Sequence, residues 1–272
     1  MDSHRIRPDL DPEKIAGFVL KRRYKDGGFS LAPSVPPSIQ DTYYALNILQ
    51  TLQKLFGYDH GYSPDQDKEL KTYLRQMEIR EGIALNVLYY YIWSCRAAGL
   101  KMGHLKGYIA CKGDFVPLED IYYMKRIRQE LQDYEMEEFE TRSSTHQYLW
   151  KTAKELWMWL YIMGRPNDEI SSDILDWIKS CQNPDGGFGF LPNTTSFIEN
   201  TCFCLRSLLF LGKEMKDLSK TLRFILSCYT GKGGFARKNG GTHLLDATYY
   251  AIQALMTYYL ISNKEFDTEK DL

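Results

Sequence analysis

The sequence predicts an all-α protein in which an inner ring of buried helices lies inside an outer ring of amphipathic helices. Two observations predict this arrangement. First, a unit made of a helix end, a Gly-rich turn, a loop and a second helix recurs along the chain, and recurrence at a period of roughly 20–50 residues indicates repeated supersecondary units. Second, helices such as 85–98 and 149–163 are apolar on nearly every face, whereas the shorter helices between them, such as 214–228, carry one apolar stripe.

The Gly-rich turn defines the repeat. Its best copy is the G-G-F turn at 186–188, within the segment 177–212. The aromatic residue of this turn recurs at Phe29 and Phe235 and, more weakly, at Phe115. Twelve positions lead from the aromatic residue to the aligned position of the next helix in three copies, whereas the loop of the Phe115 copy is shortened to five.

In chain order, the predicted outer helices are 12–22, 65–78, 101–111, 168–181 and 214–228. Each precedes an inner helix. Two further inner helices, 83–99 and 145–164, fit the scheme although no G-G-F turn comes before them. Both close on glycine, which is a usual residue just after a helix. About six inner helices are therefore expected.

Length and charge limit the classes of function. We interpret the 272 residues as one domain, 1–272, with a core at about 12–262. The net charge of −1 gives no electrostatic reason to expect a nucleic-acid partner. No apolar run reaches the roughly 20 residues of a membrane span, so we expect no transmembrane segment.

The cysteines and the start of the chain indicate a cytoplasmic protein. The six cysteines lie in predicted helices or at their ends, and three occupy the same repeat position. This placement favours small buried residues over a disulfide framework. The first residues are polar and charged, without the apolar region of a secretory signal.

The segment Q-N-P-D-G-G-F at 182–188, followed by I-E-N-T-C-F-C-L-R-S-L at 198–208, resembles the prenyltransferase/squalene-cyclase repeat family. The resemblance covers about 12–262. It implies a terpenoid-cyclase-like or protein prenyltransferase β-subunit-like (α/α) toroid of about five to six helical hairpins. It further implies an apolar cavity inside the inner helices, with the active site at the end where these helices begin. The sequence leaves open whether one hairpin is incomplete.

The zinc signature of protein prenyltransferases is incomplete. The family holds zinc with an Asp-x-Cys pair at the start of one inner helix and a histidine on a later one, leaving one position open for the thiolate. Here Asp246 keeps the aspartate position, Thr248 occupies the cysteine position, and Asn200 stands where a histidine is seen. Zinc-dependent prenylation is therefore disfavoured, and the sequence leaves the cofactor, zinc or magnesium, unknown.

The Asp-x-Asp-Asp motif of proton-initiated terpene cyclases is also absent from the aligned helix starts. An acidic residue nevertheless recurs there, and Asp246, Glu199 and Asp41 are the catalytic candidates. The simpler interpretation is that these acids cap helices and complement the helix dipole. A makeshift metal site would use Asp246, Glu199, Cys202 and His243. Glu199 and Cys202 lie three residues apart, on one helix face.

Aromatic and basic residues supply the substrate-binding candidates, which are Tyr43, Tyr44, Tyr122, Phe203, Tyr249, Tyr250, Arg237 and Lys238. In the family that the sequence resembles, aromatic walls bind polyisoprene chains, and aromatic faces attract cationic intermediates. The basic pair lies where the family places basic residues before its Asp, and it could hold a diphosphate. Core packing is the alternative explanation for the aromatic residues, and an ordinary exposed loop is the alternative for the basic pair.

The sequence therefore predicts an isoprenoid-handling enzyme, a prenyltransferase or terpenoid cyclase with an aromatic-lined pocket but without either standard motif. The alternative is a non-catalytic toroid that binds an isoprenoid, another lipid or a partner protein. The expected partners are an isoprenoid diphosphate or similar lipid-like molecule and, by resemblance to prenyltransferase β subunits, a helical partner subunit.

Overall fold

The computed structural model describes residues 10–80, 82–102, 116–131, 150–213, 215 and 217–263. The helices within these ranges are α1 Pro12–Leu20, α2 Ile39–Phe56, α3 Lys68–Gln76, α4 Leu85–Ala97, α5 Leu118–Glu130, α6 Ala153–Met163, α7 Asp168–Cys181, α8 Ile198–Leu211, α9 Leu218–Ser227 and α10 Leu245–Asn263. Two short antiparallel strands, β1 Phe235–Ala236 and β2 His243–Leu244, precede α10. The sequence analysis did not predict these strands.

Six helices form a closed inner ring. Going round the ring, α2 packs on α4, α4 on α5, α5 on α6, α6 on α8, α8 on α10, and α10 returns to α2. The helices that pack on its outside are α1 on α2, α3 on α4, α7 on α8 and α9 on α10. The all-α prediction of an inner ring within an outer ring is therefore confirmed. The predicted outer helix 101–111 lies almost wholly outside the described residues.

Local sequence signals account for the helix bounds. The side chain of Ser38 caps α2, and Gly57 ends this helix in the left-handed region at φ 62°. The predicted helix 145–164 begins later than expected, at Ala153. Thr152 and Glu155 form a capping box in which each side chain accepts a hydrogen bond from the other residue's backbone N–H. This reciprocal cap fixes the start of α6.

Each described G-G-F turn is bonded to the inner helix that follows it. The backbone N–H of Phe188 donates to Oγ1 of Thr201 at 3.1 Å, thirteen residues later. The same bond joins Phe29 to Thr42 and Phe235 to Thr248, each at 3.0 Å. All three phenylalanines are completely buried. The three described copies of the repeat therefore share the same hydrogen bond between the turn and the following inner helix. The Phe115 copy lies outside the described residues.

The first glycine of each turn fits against the start of the next outer helix. Gly27 lies against the backbone of Glu69 in α3, and Gly186 lies against that of Lys220 in α9. Gly233, in the last turn, lies against the backbone of Lys14 in α1. The last repeat therefore docks on the first outer helix, which joins the outer layer across the chain ends.

The cysteines behave as the sequence predicts where the structure describes them. Cys95, Cys181, Cys202, Cys204 and Cys228 are all buried and free, and Cys111 lies outside the described residues. Among the described helices, none combines the length and apolar character needed to cross a membrane.

Candidate functional site

A cavity of about 660 Å³ lies inside the inner ring. Residues from all six inner helices line it. Most of its lining side chains occupy matching positions counted from the start of each helix, at the second, the fifth and sixth, and the ninth residue. All six helices therefore begin at the same end of the ring, and the cavity is built in layers along their shared direction.

The fifth and sixth residues form an aromatic ring. We give this name to Tyr43, Tyr44, Tyr89, Tyr90, Tyr122, Tyr123, Trp157, Phe203, Tyr249 and Tyr250, all of which line the cavity. Neighbouring helices are joined by ring stacking, with centroids 4.8 Å apart for Tyr43 and Tyr90 and 4.4 Å apart for Tyr44 and Tyr249. Burial raises the pKa of the Tyr43 and Tyr44 hydroxyls, so these phenols stay neutral.

The structure places the six aromatic residues named from the sequence together in this ring. Tyr43 and Tyr44 come from α2, Tyr122 from α5, Phe203 from α8, and Tyr249 and Tyr250 from α10. Tyr43 and Tyr249 also share a hydrogen bond between their hydroxyls at 3.3 Å. Whether these side chains bind a substrate remains a prediction, since their positions show only that they face the cavity.

The ninth residues form a second, more polar layer that the sequence analysis missed. We call it the ninth-residue layer; its members are Asn47, Trp93, Arg126, Tyr161, Arg206 and Gln253, and all but Tyr161 line the cavity. The family resemblance implies an apolar cavity, but this layer makes part of the cavity polar. The missed signal is an amide or arginine at the ninth position of four inner helices, Asn47, Arg126, Arg206 and Gln253, and it can be recognised once the helix starts are known.

The second residues lie at the end of the ring where the inner helices begin. Gln40, Asn86, Glu119 and Lys154 line the cavity there. Nζ of Lys154 lies 2.9 Å from Oε1 of Glu119, and both side chains are partly exposed. An ion pair this accessible to solvent contributes about 0–1 kcal/mol to stability. Its two charges largely compensate each other at the cavity mouth.

Glu199 and Asp246 are the second residues of α8 and α10, but they are not among the residues that line the cavity. They lie beside the loop that carries Arg237 and Lys238. Nη2 of Arg237 donates to Oδ2 of Asp246 at 2.7 Å, and its Nη1 is 4.0 Å from Oε1 of Glu199. Oδ1 of Asp246 accepts from the backbone N–H of Ala247. Asp246 is therefore held by a cation and a helix start. Lys238 is exposed and is likewise absent from the lining.

Asp41 occupies the third position of α2 and takes part in the helix cap. Oγ of Ser38 donates to its carboxylate at 2.6 Å and accepts from its backbone N–H at 3.0 Å. Burial and, to a lesser extent, the negative charge of Asp246 raise the pKa of Asp41, against the opposing effect of the Ser38 hydrogen bond. This geometry agrees with the capping interpretation of the recurring acids.

The residues present do not fit the family's zinc triad. Oγ1 of Thr248, in the cysteine position, donates to the carbonyl of Leu244 and accepts from the N–H of Phe235, and the side chain is fully buried. Within the described ranges, no group of three or more His, Cys, Asp or Glu side chains is arranged to hold a metal ion.

The makeshift metal set of Asp246, Glu199, Cys202 and His243 is accordingly not brought together as ligands. The Cys202 thiol is completely buried, and burial raises its pKa. Nδ1 of His243 lies 3.4 Å from the Thr230 hydroxyl, and the His243 ring packs edge-on against Phe18. These two side chains take part in packing and turn contacts.

Replacing Glu199 with glutamine is expected to stabilise the protein increasingly as the pH rises. Burial raises the pKa of the Glu199 carboxyl above its ordinary value of 4.5, and one of its oxygens is buried without a hydrogen-bond partner. The folded state therefore binds this proton more tightly than the unfolded state does. This contribution to stability is complete below pH 4.5 and is lost as the pH rises through the folded-state pKa. Thermal unfolding of both proteins at a series of pH values measures the difference.

The control for this comparison is Glu78→Gln, because the Glu78 side chain is 72% exposed. Its melting temperature relative to the parent protein should vary little with pH. If the Glu199→Gln variant were less stable than the parent at neutral pH, the ion pair with Arg237 would outweigh the cost of burial, and the prediction would be wrong.

Comparison with known families identifies the domain to which the chain is similar. The model of the prenyltransferase alpha-alpha toroid domain matches residues 2–97 and 118–270. No curated protein matches the chain. The matched ranges include all six inner helices and all three described G-G-F turns.

Proposed function

Because the chain belongs to the prenyltransferase alpha-alpha toroid domain family, we propose that it binds an isoprenoid diphosphate or a similar lipid-like molecule in its central cavity. We propose further that it acts on this ligand as an enzyme of the prenyltransferase or terpenoid-cyclase type. The proposal concerns the cavity inside the inner ring and the aromatic ring that lines it.

The aromatic ring is the observation that carries the proposal. Its members come from all six inner helices, and together they present a nearly continuous aromatic surface to the cavity. Flat apolar faces of this kind pack against the double bonds and methyl groups of a polyisoprene chain. Their quadrupoles also attract a cation, by about 2 kcal/mol or more where water is excluded. The same surface would stabilise the allylic carbocation that forms when a prenyl diphosphate loses its diphosphate, and equally the tertiary carbocation that protonation of a polyene gives.

A non-catalytic toroid that binds the same ligand is the second candidate, and the geometry of Asp246 favours it. This residue aligns with a metal ligand of the family, but its carboxylate is paired with Arg237 and lies beside the cavity. A reacting carboxylate needs a geometry in which it reaches the substrate. A protein that only binds its ligand has no such requirement.

Calorimetric titration with geranylgeranyl diphosphate, with and without Mg²⁺, tests the binding part of the proposal. We expect a dissociation constant in the micromolar range or below, since the cavity volume falls within the about 300–1,000 Å³ of ordinary ligand sites. Incubation with the same diphosphate, followed by analysis for released diphosphate and hydrocarbon products, tests the catalytic part.

The outcomes separate the candidates. Binding together with diphosphate release supports an enzyme, whereas binding without turnover, with or without metal, supports the non-catalytic toroid. Geranylgeraniol, which keeps the chain but lacks the diphosphate, serves as the matched ligand. If neither molecule bound, the proposed ligand class would be wrong.

A further inference from the structure

We infer that Arg126 and Arg206 form a binding site for the anionic head group, phosphate or carboxylate, of a small organic ligand, deep in the central cavity. The inference deepens the proposed function, on which it depends for the apolar part of the ligand. It places the head group in the ninth-residue layer, away from the Arg237 and Lys238 loop where the family resemblance implies a diphosphate site.

Arg126 projects from α5 into the cavity. Its Nη2 donates to the Tyr89 hydroxyl at 2.6 Å, and its Nη1 lies 3.5 Å from the Tyr122 hydroxyl. Its Nε is buried and has no hydrogen-bond partner. The guanidinium is therefore surrounded by aromatic rings and phenol oxygens, and it retains donor capacity.

Arg206 projects from α8 into the same cavity. Its Nη2 donates to Oε1 of Gln253 at 2.9 Å, and its guanidinium carbon lies 5.8 Å from the centre of the Trp157 ring. The Gln253 amide in turn donates to Oδ1 of Asn47 at 2.7 Å and to Oγ1 of Thr51 at 3.0 Å. This network orients the carbonyl of Gln253 toward Arg206, and so holds the guanidinium in the cavity.

Carboxylates of the described residues do not neutralise this pair of arginines. No Asp or Glu in the described ranges lies within ion-pair distance of either guanidinium. Glu130, one turn beyond Arg126 in α5, is paired instead with Arg96 at 3.1 Å. Glu199, two turns before Arg206 in α8, is the partner of Arg237.

Two guanidinium groups without counter-ions are costly inside a protein. Both side chains are half-buried, and neutral hydroxyl and amide oxygens compensate only part of the cost of taking a charge out of water. An anion placed between the two would supply the missing charge. Guanidinium groups bind carboxylate and phosphate oxygens through two parallel N–H bonds, which gives both strength and orientation.

The two arginines converge on one part of the cavity. Both stand at the ninth position of their helices and line the same cavity, although these helices are separated by α6 in the ring. Beyond them, the lining continues to the exposed side chains of Gln50 and Lys54 near the end of α2. A ligand head group in this layer would therefore lie next to the aromatic ring, with its apolar part against the tyrosines.

The test is calorimetric titration of the full chain with geranyl diphosphate, inorganic diphosphate, geranoate and geraniol. We expect the diphosphate ester or the carboxylate to bind more tightly than the neutral alcohol, and the stronger of the two identifies the head group. Replacing Arg206 or Arg126 with glutamine should weaken binding of the preferred anion by about 10- to 100-fold, because a hydrogen bond to a charged group is lost.

Two further arginines provide matched controls. Arg223→Gln changes an exposed residue of the outer helix α9 and should leave affinity within about twofold of the parent. Arg237→Gln tests the competing site in the basic loop; because Arg237 is not among the residues that line the cavity, the inference predicts a similarly small effect. Equal affinity of the parent and the Arg126→Gln and Arg206→Gln variants would overturn the inference, as would a loss of binding confined to Arg237→Gln. In both cases the proposed isoprenoid function would stand. Binding of geraniol but of no anion would likewise overturn the inference alone.

Stability of the ligand-free protein gives an independent measurement. If the arginines serve a ligand, removing one half-buried charge that has no carboxylate partner among the described residues should leave the melting temperature unchanged or raise it by about 2–4 °C. If the Arg206 network is only structural, Arg206→Gln should lower the melting temperature and leave anion affinity unchanged. That combination would contradict the inference. Circular dichroism of each variant confirms that the affinities are compared between folded proteins.

Discussion

Replacing Gly233 with alanine is expected to lower the free energy of unfolding by about 2–5 kcal/mol. Gly233 has φ 90°, a conformation that residues with a Cβ atom rarely adopt. A methyl group at this position would also overlap the backbone carbonyl of Lys14 in α1 and crowd the Cβ of Phe18. The turn and the first outer helix would have to separate, which opens the junction between the last and first repeats.

Gly231→Ala is the matched control for this prediction. Gly231 has φ 71° and lies two residues away, but a methyl group there would meet no atom within 4 Å. Its substitution should cost only the left-handed backbone strain, about 1–2 kcal/mol. Equilibrium unfolding in urea measures both variants. If the two substitutions were equally costly, contact between Gly233 and α1 would contribute nothing to stability, and the junction would have to be held elsewhere.

The fold could be predicted because its main signal is local and repeated. The G-G-F turn fixes where an outer helix ends, and the apolar helix after it has one place to bury its surface. The closure of the ring was harder to predict from the sequence, because the contact of Gly233 with α1 joins residues more than 200 positions apart. The start of α6 was misjudged because the capping box at Thr152 was not recognised within a longer apolar pattern.

The candidate site could be predicted in part. The aromatic residues were identified because they follow the turns at a constant spacing, and the structure brings them together in one ring. Arg126 was missed because it stands among other basic residues, Lys125 and Arg128, as on an ordinary solvated helix, and Arg206 because no other basic residue lies in its helix. Their relation depends on α5 and α8 facing a common cavity, which no pattern within either helix records.

For the acidic residues at the helix starts, the sequence predicted the position but not the interactions. Asp246 is paired with Arg237, and the Asp41 carboxylate accepts a hydrogen bond from the Ser38 hydroxyl in the α2 cap. Sequence spacing gives the helix position of a carboxylate. Whether that carboxylate is free to react depends on side chains from other elements, and these set its charge and orientation.

Replacing Tyr249 with leucine should lower the turnover number about 30-fold if the protein is an enzyme with a carbocationic intermediate. Tyr249 lines the cavity, its ring is stacked on Tyr44 at 4.4 Å, and its hydroxyl contacts Tyr43 at 3.3 Å. Leucine remains apolar but lacks the aromatic quadrupole, whose attraction for a buried cation is about 2 kcal/mol. A difference of this size confined to the transition state lowers the rate and leaves substrate affinity nearly unchanged.

Tyr249→Phe separates the aromatic ring from the hydroxyl. Phenylalanine keeps the quadrupole and the stacking surface, so its turnover number should remain within about threefold of the parent. Single-turnover rates and equilibrium affinities with geranylgeranyl diphosphate measure the two effects separately. Equal rates for the leucine and phenylalanine variants would show that no cation develops next to Tyr249. If leucine weakened binding and none of the three proteins converted the ligand, the aromatic ring would be a binding surface, and the non-catalytic toroid would be the better description.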